Sequence, residues 1–274
     1  MGGASLRPAL QGGFMYRSLK VVAAVLLILS CTYTLYAAEE EPELKLDVWK
    51  LTLKPLKADT IVVERASGTA RLDWYLVYAV TNETDQPRSL SLHITAELFD
   101  SEEAAAADEK KDPLLTGLGI GKPHKVKQVS VPLPELESAV ERKMGEQLLG
   151  PADIAPRRRK ALKAKGEARA KALEELQRFL TIKPKETRRC IATFGPLDPQ
   201  AHVVKIYVRN LTGTVGIIQK DGKRILREYV LVLKYRIPGD EFGRVEDRFI
   251  YVGKKWIAVE REVPPIPAAG GGKK

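Results

Sequence analysis

Along most of this chain apolar residues recur every second position, the period of strands with one buried face. From Leu46 to Leu53, Trp49, Leu51 and Leu53 share one side while Lys50 and Thr52 take the other, and Ile61-Val62-Val63 reads as a second short strand. The next stretch, Asp73 to Asn82, differs because both of its faces are apolar: Trp74, Leu76, Tyr78 and Val80 on one, Tyr75, Val77 and Ala79 on the other. A strand buried on both sides belongs in the middle of a sheet. Asn82-Glu83-Thr84-Asp85-Gln86-Pro87 then turns the chain, after which Leu90, Leu92, Ile94, Ala96 and Leu98 alternate strictly with polar residues. Together with Val203–Val208, this strand is the expected sheet neighbour of Asp73–Asn82. Asp100 to Asp112 reads as a polar, Ala-rich loop, continued by Gly117, Gly119, Gly121 and Pro123, before Val129, Val131 and Leu133 resume the alternation.

Pro134 changes the period. Leu136, Val140, Met144 and Leu148 recur at intervals of four up to Gly150-Pro151, which predicts one helix. A second is expected from Pro156 to about Leu180, with Leu162, Leu173, Leu176 and Leu180 as a thin apolar stripe. Strands return at Thr187–Phe194 and Val203–Val208. Asp221-Gly222 marks a hairpin turn that leads into the apolar face Tyr229, Leu231, Leu233, Tyr235 and Ile237. Two last strands, Arg248–Val252 and Trp256–Val259, flank Gly253-Lys254-Lys255. The pattern predicts an all-β domain (α+β by content) over residues 39–262, an antiparallel β-sandwich with a two-helix insertion at about 134–180. Residues 263–274 read as a disordered tail.

An apolar content of 44% with 29% charged residues places the chain in the globular class. Before the body, Val21 to Ala38 carries no charge and follows Arg17 and Lys20, the signature of an export signal within residues 1–38. Cleavage near Ala37 or Ala38 is the first reading. Lipidation at Cys31, in Ile28-Leu29-Ser30-Cys31, and retention as a single membrane anchor stay open beside it. All three place the body outside the cytoplasm, periplasmic or secreted. They also leave Cys190 as the body's lone cysteine, so no internal disulfide is expected.

Three segments together carry a family resemblance: the aromatic strand ending in Val80-Thr81-Asn82-Glu83-Thr84, then Ile182-Lys183-Pro184-Lys185-Glu186-Thr187 entering Cys190–Phe194, then Asp198-Pro199 before Val204–Val208. They resemble secreted bacterial immunoglobulin-like (Ig-like) β-sandwich domains, in which a Pro-Gly-Glu-Thr step commonly precedes the strand facing the first. Here Lys185 stands where that step has glycine. The resemblance implies the sandwich fold, an extracytoplasmic setting and a role in binding or structure. It brings no shared catalytic residues, so it implies neither an enzyme nor a cofactor.

Candidate chemistry is sparse. His93, His124 and His202 lie in separate segments without a second ligand at metal-binding spacing, and no serine sits in a nucleophile-elbow pattern. Cys190 heads the apolar alternation Cys190, Ala192, Phe194 and reads as a small core residue. Gly117-Leu118-Gly119-Ile120-Gly121-Lys122 lacks the spacing of a phosphate-binding loop. Asn82-Glu83-Thr84 and Asn210-Leu211-Thr212 match the glycosylation triplet, yet each falls where a turn is needed. Charge is the uneven quantity: residues 39–121 carry 9 basic and 17 acidic side chains, and residues 122–189 carry 18 and 9. The densest run is Arg157, Arg158, Arg159, Lys160, Lys163 and Lys165, placed at what reads as a helix start, where cations oppose the helix dipole. It is either a solvated face or a contact for an anionic partner such as a membrane surface or an acidic envelope polymer. Nucleic acid ranks last, since no aromatic residue interrupts the run for base stacking. The expectation is a non-enzymatic envelope module that binds an unspecified protein or envelope partner, with association through the basic helix as the alternative.

Overall fold

The computed structural model describes residues 49–64, 68–109, 125–213, 217–220, 223–238 and 249–262. These belong to one compact unit, Leu44–Lys274, and the other unit, Met1–Glu43, lies outside them. The leader with Cys31, His124, the Gly117–Lys122 loop, the Asp221-Gly222 turn and the tail 263–274 are likewise outside the described residues.

In chain order the described elements are β1 (Thr52–Glu64), β2 (Ala70–Thr81), β3 (Arg88–Ser89), β4 (His93–Phe99), α1 (Glu102–Glu109), β5 (Lys125–Val129), α2 (Pro134–Met144), α3 (Pro151–Lys163), α4 (Gly166–Leu180), β6 (Thr181–Ile182), β7 (Thr187–Pro196), β8 (Val203–Arg209), β9 (Ile217–Lys220), β10 (Lys223–Arg236) and β11 (Ile250–Glu262). Strands dominate, and all their ladders are antiparallel. One sheet has the order β1-β2-β7, and a second has the order β11-β10-β8-β4-β5 with β9 attached to β10. As its two apolar faces demand, β2 is the central strand of its sheet. Trp74, Leu76, Tyr78 and Val80 enter a core shared with Ile94, Ala96 and Leu98 of β4 and Val204, Ile206 and Val208 of β8. Within that core the Trp74 ring stacks on Phe194 at 3.9 Å, and its indole N–H donates to Gln128 Oε1 at 2.7 Å. The other face of β2 offers Tyr75 and Val77 to Leu136, Val140 and Leu148 of the helical segment.

Several expectations are corrected. The strands from Leu90–Leu98 and Val203–Val208 do not pair with β2; they lie in the second sheet and meet it across the core, while β1 and β7 supply its hydrogen bonds. Period-two burial is satisfied equally by a partner in the same sheet or opposite it, so the pattern alone does not separate the two. The regions around Leu53 and Ile61–Val63 are one strand, β1, because a register shift between Pro55 and Lys57 absorbs the proline. A shift between Lys234 and Tyr235 of β10 in the same way lets β11 run unbroken through Gly253. Val129 and Val131 are exposed rather than buried.

The helices differ more. Asp100–Asp112, expected as a loop, contains α1, whose alanines favour helix and whose start is capped by Ser101 Oγ accepting the Ala104 N–H at 3.0 Å. It covers Phe99, Val203 and Lys205, so Lys205 is only 2% exposed and its ammonium donates to Ala105 O at 2.7 Å. Residues 134–180 hold three helices, not two. The first stops at Met144 because Gly145 takes a left-handed conformation, φ 70°, and caps it. The expected helix from Pro156 begins earlier, at Pro151, and is broken at Ala164-Lys165, with Ala164 extended and Gly166 at φ 54°. Pro156 lies inside α3.

The segments carrying the family resemblance interlock. Asn82 is buried; its side-chain amide donates to Gln86 O at 2.8 Å and Ile182 O at 3.1 Å, and its oxygen accepts from Thr84. Its backbone exchanges hydrogen bonds with Lys185 and Glu186. Lys185, at the position where the family step has glycine, adopts φ 62°, the left-handed region that glycine occupies freely. Its ammonium donates to Glu83 O at 2.6 Å.

Candidate functional site

The basic run lies on α3 as far as Lys163, with Lys165 just past its end, and what starts that helix is a pair of carboxylates. Asp153 accepts the Gly150 N–H at 3.2 Å. Glu137, reaching over from α2, accepts the Ala152 N–H at 3.0 and 3.1 Å through its two oxygens. Glu137 is 6% exposed, and burial pushes its carboxyl up to about 7 against the backbone hydrogen bonds from Ala152 and Leu133. Because α3 begins at Pro151, Arg157 to Lys163 fall in its second half, and Lys160 and Lys163 in its last turn complement the helix dipole instead of opposing it. Lys165 lies past that end, at the N-cap of α4.

Helix α4 returns along α3. Arg157 sits 3.9 Å over the Phe179 ring and donates to Asp153 O at 2.7 Å, while Lys160 pairs with Glu175 at 2.9 Å. The buried residues of the pair are Ala161 on α3 and Ala172 and Leu180 on α4, small except at the base. The base is tied down by Arg188 Nη1 donating to Phe179 O at 2.7 Å and by the Leu90 N–H donating to Leu180 O at 2.8 Å. Between Pro156 and Arg178 every residue is exposed except Ala161, Ala164, Ala172 and Leu176. The pair is therefore a hairpin anchored at one end and solvated over the rest, with α3 about 20 Å long at ~1.5 Å per residue.

Of the six basic residues singled out from the sequence, Arg157 and Lys160 are used inside the hairpin. Arg158, Arg159, Lys163 and Lys165 are exposed, and their side chains make no ion pair or hydrogen bond among the described residues. The structure also brings in residues that the sequence reading missed. Pro151, Ile154, Ala155, Arg158 and Leu162 form a stripe on α3 at helical spacing, and with Arg159 they overlook a cavity of about 370 Å³. Its other walls are Tyr78, Leu90, Leu92, His93, Ile94, Ser130, Pro132, Leu149, Gly150, Cys190 and Ile191. Leu162 at its mouth is 69% exposed. Ser130 Oγ is buried and has no hydrogen-bond partner. The signal that could have found this stripe is the four-residue interval Ile154, Arg158, Leu162, which the reading of a helix starting at Pro156 cut off.

His93 and Ser130 line the same cavity, but no hydrogen bond joins them and no carboxylate lines it. Cys190 is 2% exposed, and burial pushes its thiol up to about 12, the opposite of an activated nucleophile. Among the described residues no group of His, Cys, Asp and Glu is arranged to hold a metal ion, and no helix is long and apolar enough to cross a membrane. A larger groove of about 1040 Å³ follows Thr52–Thr60 of β1 against Tyr235, Phe249, Tyr251 and Lys254. Two of its lysines, Lys57 and Lys143, are already paired with Asp59 at 3.0 and 3.1 Å.

Comparison of the chain with protein-family models, with curated proteins and with solved structures finds no match.

Proposed function

We propose that this chain is a non-catalytic module of the cell envelope, an Ig-like β-sandwich acting outside the cytoplasm, and that its helical hairpin is the surface that meets an anionic partner. The sandwich reading is supported by the two antiparallel sheets sharing one core. The Asn82–Glu186 corner, where a left-handed Lys185 does the work of the family's glycine, supports the Ig-like assignment. The extracytoplasmic setting rests on the uncharged segment Val21–Ala38 behind Arg17 and Lys20.

One observation carries the binding role. On a hairpin whose other α3 cations are consumed internally, Arg158, Arg159 and Lys163 of α3 and Lys165 of the α3–α4 turn are exposed and their side chains unpaired. Four cations within eight residues produce a local positive potential that attracts anionic surfaces and weakens steeply with salt. Since each basic residue near an anionic membrane contributes roughly 1 kcal/mol, four give an association that is measurable and salt-reversible. The test is co-sedimentation of the full chain with phosphatidylglycerol vesicles and with phosphatidylcholine vesicles, at low and high salt. Binding to the first alone, lost in high salt and in the variant R158Q/R159Q/K163Q/K165Q, is the expected result. Equal sedimentation with both vesicle types, or an unaffected quadruple variant, refutes it.

A further inference from the structure

The cavity beneath α3 combines two features that the hairpin's surface charge does not explain. Its walls are mostly apolar, with Leu90, Leu92, Ile94, Leu149, Ile154 and Leu162 among them, and its volume, about 370 Å³, is that of a small-ligand pocket. Two unpaired guanidinium groups, Arg158 and Arg159, stand on the same helix as the apolar stripe and line the same cavity. A solvated basic face needs neither. An apolar slot bordered by two cations is complementary to a molecule that is apolar along its length and anionic at one end.

We infer that the cavity binds a single-chain anionic amphiphile of the fatty-acid class, with the acyl chain between α3 and the β4 end of the sheet and the carboxylate on Arg158 and Arg159. This deepens the hairpin reading and rests on it: the same helix that approaches an anionic surface would accommodate one amphiphile drawn from it. Arginine suits the position because its planar fork can engage both carboxylate oxygens. Leu162, largely exposed, would lie along the first methylenes and gain apolar contact.

The test titrates the full chain with dodecanoate below its micelle concentration by calorimetry, beside dodecanol, acetate and inorganic phosphate. Expected is one-to-one dodecanoate binding, with the three controls at least about tenfold weaker, the factor a charge-assisted hydrogen bond supports. R158Q/R159Q should lose about tenfold or more. Ala155→Phe fills the cavity without touching the cations, so it should abolish dodecanoate binding while still sedimenting with phosphatidylglycerol vesicles. Leu162→Glu, at an exposed position with no folding role, should weaken dodecanoate binding by placing a carboxylate at the mouth. Phosphate binding as tight as dodecanoate, unchanged dodecanoate affinity in A155F, or no dodecanoate binding at all would overturn the inference. Loss of vesicle binding by the quadruple variant would stand or fall separately, so failure of the cavity and failure of the hairpin reading are distinguishable.

Discussion

Glu137 offers the sharpest quantitative test of how the hairpin is anchored. Its carboxylate is buried between α2 and the start of α3, accepts the Ala152 N–H through both oxygens, and lies 3.4 Å from Thr193 Oγ1. The α3 N-terminus favours its charged form, but burial outweighs this and raises its pKa from 4.5 to about 7. The folded protein therefore holds this proton more tightly than the unfolded chain does. Stability from the group is complete below pH 4.5 and falls as pH rises through about 7. A rise of about 2.5 pH units corresponds to a total loss of about 3 kcal/mol at ~1.4 kcal/mol per unit. Glu137→Gln keeps the size and removes the titration, at about 1 kcal/mol for a less favourable hydrogen bond to Ala152. Urea unfolding followed by tryptophan fluorescence should thus find wild type more stable than E137Q by about 1 kcal/mol at pH 4.5 and less stable by about 2 kcal/mol at pH 8. Carboxylates with the opposite slope, such as Asp59, whose burial is outweighed by the Lys57 and Lys143 ammonium groups, are common to both proteins and cancel in the difference. Parallel pH profiles, or a wild type that gains on E137Q as pH rises, would refute the reasoning.

Other predictions concern the frame around the site. At Gly150 an added Cβ would lie 2.0 Å from Glu137 Oε2 and 2.9 Å from Ile191 Cγ2, so G150A should cost about 3 kcal/mol in chemical denaturation. G195A, with open space around it, should differ from wild type by less than about 0.5 kcal/mol, and similar losses in both would contradict the packing described. Asn82→Ala removes the amide that ties the β2 end to Gln86 and Ile182, and thermal unfolding should show a loss of about 2–4 kcal/mol; a neutral result would mean the corner is not a structural latch. R158Q/R159Q, in contrast, should unfold within about 0.5 kcal/mol of wild type, because neither side chain has a partner to lose.

The central strand was legible in the sequence because β2 is apolar on both sides: Trp74 and Leu76 needed one core, Tyr75 and Val77 another, and the structure supplies both. What lies beside β2 was not legible. Leu90–Leu98 and Val203–Val208 bury one face each, and that requirement is met across the core as well as along a ladder. The turn at Asn82 was recognised from residue type, but its partner 100 residues later was not; the link is one side-chain amide and a pair of backbone bonds that leave no pattern. Helix boundaries failed where one residue decided them. Gly145 ends α2 by its left-handed conformation, and Ser101 starts α1 through one hydroxyl. For the site, the basic residues were plain in the sequence, but which of them remain free was not. That depended on Phe179 and Glu175, contributed by a second helix folded back onto the first.

The claim that the hairpin is the contact surface can be tested by lysine acetylation of the full chain, read by mass spectrometry, with and without phosphatidylglycerol vesicles. Lys163 at the end of α3 and Lys165 in the turn before α4, both exposed and unpaired, should lose reactivity when vesicles are present, while Lys54 and Lys254 in the groove beside β1 keep theirs. Protection of Lys54 and Lys254 with Lys163 and Lys165 unchanged would place the contact at the groove beside β1 and contradict the account.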